Sequence, residues 1–451
     1  MSSSSSDDLK VPPCTFSDSD EELLVHEYLH ASDDWLDDFD EVDLEYVRGL
    51  RACRVGRRVL TWMYSGDLLK CIEGDHPRAG MNWENLPGDA RRRRWMGLIR
   101  MPPTVFDELF DVVCDHIPDT MPVVPHHRQY SKRTKLLVTL YYLAHVPTLR
   151  CMSRLFGVPH NSISEVCLGP GLTALEQALC DSPDTKTVRF PRIAADLRKT
   201  MRQFSSTWHL PVVGAVDGCL IPQRKPSSSQ AGGDADAFWS YKGSPASLLL
   251  AICDAKGRFL YVNAGAPGTV GDAGLWARSD LCSRIEGGML DIAGVELSDG
   301  EETRMIRPVL VGDAAFPLGP HMMKIYDEPG PNGMPEFRAS GKATFNRCVI
   351  NCRREIERTF GRLKGRWAFC RRNTFVQSPQ FVRSAVRVCC ALHNFIEERH
   401  VDYDIGWQHE GPEAPVPNIA PIPAAQQGVV GRNAEGRAVR DFLTRYVSTL
   451  E

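Results

Sequence analysis

Four short apolar runs and one long helix constrain this chain more than anything else in it. PVVGAVDG (211–218) is an apolar run ending in Asp217-Gly218, which reads as a buried strand. SLLLAICD (247–254) and GRFLYVNAG (257–265) read as a hairpin closed at Ala255-Lys256, and a helix is expected from Asp272. RPVLVGDAAF (307–316) is a further buried strand that carries Asp313. Later comes RREIERTFGRLKGRW (353–367), part of a helix expected from about Asn346. Its Ile356, Phe360, Leu363 and Trp367 recur at helical spacing and make one apolar stripe. Beside the stripe runs a second row, Arg353/Arg354, Glu357, Gly361 and Lys364. It sets one carboxylate among cations, with a glycine one turn on that leaves room beside it. Alone, such a row is equally a solvated helix face in which Glu357 pairs with Arg353, a contact of ~0.3–0.5 kcal/mol.

The order of these elements gives the row its meaning. Strand with Asp, antiparallel hairpin, helix, strand with Asp, then helix with Glu is the order of an RNase H-like α/β domain, a mixed sheet flanked by helices. The first and fourth strands can lie side by side, which sets Asp217 and Asp313 at adjacent strand ends, and helix packing brings Glu357 to the same point. Three such carboxylates repel one another and raise each other's pKa unless cations intervene. Hard oxygen donors suit two Mg²⁺ or Mn²⁺ ions. Such a pair, ~3.5–4 Å apart, can activate a water or a 3′-hydroxyl and stabilise the leaving oxygen. Asp217 is expected to bridge both ions, with Asp313 and Glu357 each holding mainly one. Arg353, Arg354 and Lys364 would grip the phosphates. Asp-Gly after a strand is ordinarily only a turn, so the weight rests on the three acids taken together.

Charge is distributed unevenly. Residues 1–47 hold fifteen Asp and Glu against one Lys, a net of −14, while the rest holds 52 basic and 42 acidic residues, a net of +10. A basic body of this kind suits an anionic partner such as double-stranded DNA. The acidic leader reads as a solvating, disordered segment. Its start, MSSSSSDD, lacks the basic and apolar regions of a secretory signal. No apolar run approaches the ~20 residues that span a bilayer, so no membrane partner is expected. Fifteen cysteines without paired C-x-x-C knuckles read as reduced thiols. Cys348 and Cys352 share a helix face but lack identifiable zinc partners.

Residues 48–185 read as a helical region. Arg91 to Arg94 serve equally as a nuclear localisation signal, as phosphate contacts or as a solvated turn. Within 131–180, SKRTKLLVTLYYLAHV, LRCMSRLF (149–156), the turn Gly157-Val158-Pro159 and HNSISEV give a helix-turn-helix pattern. His160, Asn161 and Ser162 would meet DNA at the N-terminal end of its second member. A small helical bundle that never touches DNA has the same appearance. The α/β domain spans 205–400, a Pro/Ala/Gly linker 404–433, and a short amphipathic tail helix 434–451.

The residues now quoted carry a wider likeness. LIRMPPTVFDELF, VVGAVDGCLIP, SYKGSPASLLLAICDAKGRFLYVNAGAPGTVGDAGLW, VLVGDAAFPL, FNRCVINCRREIERTFGRLKGRW and ALHNFI resemble the Harbinger (P instability factor) superfamily of DDE transposases and their domesticated nuclease relatives. The resemblance covers about residues 95–400. It implies that the catalytic acids are Asp217, Asp313 and Glu357, with Asp272 as a supporting or metal-adjacent acid. An Asp272 that merely favours a helix N-terminus is the simpler alternative. It further implies a separate Myb/SANT-like protein that assists DNA recognition and nuclear import. The chain departs from the family at Cys219-Leu220, where Thr-His is usual, at Gly271 for His, and at Ala314-Ala315-Phe316 for Ser-Gly-Tyr.

The expectation is a nuclear protein, passing through the cytoplasm and able to self-associate. It would hydrolyse DNA phosphodiesters at element ends and join 3′-hydroxyls to target DNA. The main alternative is a domesticated, catalytically degenerate DNA-binding protein, and a third is a nuclease for RNA or hybrids.

Overall fold

The computed structural model describes residues 88–119, 130–159, 162–374, 378–407 and 429–450. The acidic leader, the helical stretch 48–75, His160, Asn161 and most of the 404–433 linker lie outside the described residues. The chain divides into two units, one of residues 86–147 with 161–451, the other of residues 1–85 with 148–160.

The larger unit opens with α1 (Gly88–Ile99), α2 (Pro103–Val113) and α3 (Lys132–His145). Ser131 caps α3 by accepting the amide of Thr134 at 3.0 Å, which satisfies one of the donors that a helix start leaves free. In the other unit the described helix is α4 (Leu149–Phe156). Thr148 Oγ1 accepts its Cys151 amide at 3.2 Å, and Gly157 ends it at φ 64, the left-handed conformation that glycine takes without strain. Of the segments read as a helix-turn-helix, α4 and the turn after it belong to this unit, while residues 161–166 belong to the larger one. The larger unit resumes with α5 (Gly169–Glu176), which has a π-helical segment at each end, and α6 (Ala194–Trp208).

The sheet follows. It joins β1 (Val212–Pro222), β2 (Ala246–Cys253), β3 (Phe259–Pro267), β6 (Val309–Val311) and β7 (Met322–Met323) in the order β3-β2-β1-β6-β7. β1 runs antiparallel to β2 and parallel to β6, with Ala215 opposite Val311. The first strand and the Asp313 strand are thus neighbours. Between them the chain inserts the hairpin β4 (Val295–Ser298) and β5 (Thr303–Ile306). Its residues are mostly exposed or half-buried, so no apolar run marks it. β1 continues past Gly218 because residues 218–222 pair with 250–246. Asp217 consequently stands within a strand, not at its end.

All eight residues of β2 are buried, as expected of a strand covered on both faces. One face carries Val216, Leu248, Leu250 and Ile252 against Leu197 and Met201 of α6, and against α7 (Asp272–Ala277) and α8 (Asp280–Glu286) through Trp276 and Leu281. Beyond the sheet lie α9 (Met334–Ala339), α10 (Lys342–Arg366), α11 (Pro379–Glu397) and α12 (Val429–Ser448). α10 starts four residues before the expected Asn346, where Gly341 at φ 73 separates it from α9. Its stripe of Ile356, Phe360 and Leu363, with Trp367 just beyond, is buried, each such side chain being worth ~1.5–3 kcal/mol of burial. α11 is fastened to the sheet by Asn394, which accepts the Phe259 amide at 2.8 Å and donates to the Phe259 carbonyl at 2.7 Å. The result is a mixed α/β unit, compatible with the RNase H-like arrangement expected of it.

Candidate active site

Asp217 and Gly218 open the site. Residues 215, 217, 219 and 221 alternate to one face of β1, and Arg353 of α10 reaches Asp217 from there, its Nη2 3.9 Å from Oδ2. The same Nη2 is 3.3 Å from Oε1 of Glu357. Arg353 therefore stands between the strand acid and the helix acid. The Glu357 side chain is 52% exposed, while that of Asp217 is only 18% exposed.

Asp272 comes to the site through a gap in the strand. A Cβ built on Gly218 would lie 1.8 Å from Asp272 Oδ1, so the carboxylate occupies space that any other residue at 218 would fill. Asp313 follows β6. Its Oδ1 accepts the Ala315 amide at 2.9 Å, which fixes the turn leaving the strand.

The electrostatics link these acids. Burial pushes the Asp217 carboxyl up to about 7; Arg353 pulls it down, while Asp272 and Asp313 push it up further. Asp272 is pushed up to about 6 by burial and then by Asp313. Asp217, Asp272 and Asp313 thus form one mutually repelling group. Glu357 is tied to it through Arg353.

The remaining expected residues fall as follows. Lys364 is half-buried and hydrogen-bonds the Cys219 thiol, next along the strand from the Asp217-Gly218 pair. Arg354 is exposed and donates to Asn351 Oδ1 at 2.9 Å. Ser162 is buried, and His160 and Asn161 lie outside the described residues. Two participants escape a reading of the sequence. Gly218 looks like a turn residue and instead makes room for Asp272. Tyr241 has its phenol pushed up by burial and then by Asp272, Cys219 and Asp217.

The donor chemistry fits a small hard cation, since half-buried carboxylates with raised pKa values gain from a positive ion among them. As they stand, no three His, Cys, Asp or Glu groups among the described residues converge closely enough to hold one.

A mixed sheet gathering acids from β1, from the segment after β3 and from the turn after β6, over a helix of cations, defines a carboxylate-centred α/β domain. Residues 216–394 match the DDE superfamily endonuclease family. An ALP1-like protein of Arabidopsis thaliana is 22% identical over 67% of this chain and 72% of its own. Human HARBI1, whose name presents it as a candidate nuclease, is 23% identical over 61% of this chain and 70% of its own. The Arabidopsis protein named antagonist of like heterochromatin protein 1 is 24% identical over 60% of this chain and 63% of its own. No solved structure matches the chain.

Proposed function

We propose that this protein is a metal-dependent DNA endonuclease of transposase descent, with Asp217, Asp313 and Glu357 as its catalytic acids and Asp272 as their neighbour. One observation carries the reading: two half-buried carboxyls, Asp217 and Asp272, are pushed up by burial and by their acidic neighbours, with Arg353 3.9 Å from Asp217. A structural role alone gives little reason to keep such a group, because burying like charges destabilises the fold. Two Mg²⁺ or Mn²⁺ ions held by Asp217, Asp313 and Glu357 would supply an activated water or 3′-hydroxyl and charge stabilisation at the leaving oxygen. Arg353, beside two of the acids, is placed to orient a phosphate by paired N–H donors. Arg354 offers a further exposed cation, and half-buried Lys364 offers one from inside the site. The Harbinger ancestry, joining of 3′-ends, a nuclear site of action, helix-turn-helix contacts by His160 and Asn161, a Myb/SANT-like helper and self-association belong to the same proposal, while buried Ser162 is not offered to DNA.

A second reading, a DNA-binding protein whose catalysis has lapsed, is favoured by the engagement of Glu357 with Arg353. Nicking of supercoiled plasmid with and without Mg²⁺ or Mn²⁺, wild type beside Asp313→Ala, separates the two. Metal-dependent nicking abolished by the substitution supports the enzyme. No nicking by either protein, with DNA binding retained, supports the binder.

A further inference from the structure

The loop from Gln223 to Pro245 joins β1 to β2 at the end of the sheet where the acids gather. Near its end, Trp239 is 50% and Tyr241 47% exposed, while Ser240 between them is buried. This alternation turns both rings outward. Phe238, one residue before, fills the interior at 4% exposure, so the two outer rings are not needed to complete the core.

The loop is also stiff. The Trp239 amide donates to the Asp236 carbonyl at 2.9 Å, and Trp239 bridges to Pro245. Ser240 donates to the Ser244 carbonyl from its amide at 3.0 Å and from its hydroxyl at 2.7 Å. Gly243, at φ 75, closes this turn in a conformation that glycine adopts without penalty. Thr269, three residues before Asp272, donates its hydroxyl to the Ala237 carbonyl at 2.9 Å, which ties the loop to the segment carrying that acid. Tyr241 feels the charges of Asp272, Asp217 and Lys364. Arg224 and Lys242 are exposed on the same loop.

We propose that Trp239 and Tyr241 form a stacking platform for an unpaired DNA base beside the acidic group, with Arg224 and Lys242 holding the backbone of that strand. Rigid, outward aromatic rings next to cations are how proteins hold unpaired bases, because every base has a π-face and stacking tolerates any sequence. A phosphodiester inside a duplex keeps its bases paired and stacked. A platform at this place would capture a base freed at a frayed or already cut end, selecting ends over continuous duplex. The inference rests on the DNA reading of the neighbouring acids, and it concerns binding, not hydrolysis.

The test uses the full chain in EDTA, so that no cleavage intervenes. The probes are a duplex with a short 3′ overhang carrying 2-aminopurine, and a matched blunt duplex. Wild type should quench the 2-aminopurine and prefer the overhang. Trp239→Leu and Tyr241→Leu should lose the quenching and bind the overhang about tenfold more weakly, with blunt-duplex binding unchanged. Trp239→Phe and Tyr241→Phe should retain both properties. Quenching by the Leu variants equal to that of wild type overturns the proposal, as does an equal loss on both duplexes. Quenching without metal-dependent nicking would leave the platform standing and remove the nuclease, while nicking with no quenching by wild type would do the reverse.

Discussion

The carboxylate of Asp272 lies where a side chain on Gly218 would have to be, 1.8 Å from a Cβ at that position. Strand and acid share one volume, so Gly218→Ala must displace Asp272 or bend β1. Overpacking of this kind costs about 1–3 kcal/mol. The substitution should lower Mn²⁺ affinity and metal-dependent nicking about tenfold, with urea denaturation reading the stability loss. Unchanged Mn²⁺ binding would show that Asp272 is not needed where it lies.

Asp217→Asn removes a charge that burial and two neighbouring acids disfavour. Above pH 7 the metal-free variant should be the more stable protein, with a melting temperature higher by about 1–2 °C, the shift expected of ~1 kcal/mol in a unit of this size. It should lose both nicking and the rise in melting temperature that Mg²⁺ gives the wild type. Calorimetry with and without Mg²⁺ checks both outcomes.

Protons should compete with metal. With Asp217 raised to about 7 and Asp272 to about 6, the folded protein binds more protons than the unfolded chain between the ordinary carboxylate range and pH 7. Metal-free stability should therefore fall as pH rises through this window. Metal affinity should move in the opposite direction, weakening as pH falls from 8 to 5, because bound ions require the ionised acids. Mn²⁺ titrations across that range follow it directly. A flat profile would contradict the raised values.

Arg353 opposes a cation at the same acids. Arg353→Gln should tighten Mn²⁺ binding severalfold, since a positive charge 3.9 Å from Asp217 is removed. Nicking should nonetheless fall, because the phosphate loses a donor pair. Tighter metal with slower cleavage is the signature; weaker metal binding would mean that Arg353 instead organises the acids.

Farther from the site, Arg366 is fully buried, and Glu397 accepts its Nη1 at 2.9 Å and Arg362 Nη1 at 2.8 Å. Glu397→Ala leaves a buried guanidinium without its counter-charge, which costs about 3–5 kcal/mol. The urea midpoint should drop accordingly, with Mn²⁺ affinity per folded molecule unchanged.

Much of this arrangement is legible in the sequence because the sheet is buried. β2 and β3 appear as apolar runs, and the parallel pairing of β1 with β6 follows from which elements separate them. The stripe Ile356, Phe360, Leu363 and Trp367 is legible because a 3.6-residue period has one cause. The β4–β5 hairpin is not, since strands that bury little leave no pattern. Asp217-Gly218 reads as a strand end because Asp-Gly usually makes a turn, whereas the glycine serves Asp272, fifty-four residues away. Contacts of that reach leave no local trace. The same holds for Arg353: its spacing from Glu357 is visible, but its approach to Asp217 depends on how α10 lies across β1.

The parallel pairing of β1 with β6 has a consequence for biosynthesis. β1, β2 and β3 join through neighbours in sequence and can assemble as soon as they leave the ribosome. Val309, the partner of Val212, is made about a hundred residues later, and such long-range closure is the slow step in folding. Until then a nascent chain presents one bare edge of its central strand to whatever is nearby. Asp313 and Glu357 are translated later still, so the three acids cannot meet before synthesis has passed α10.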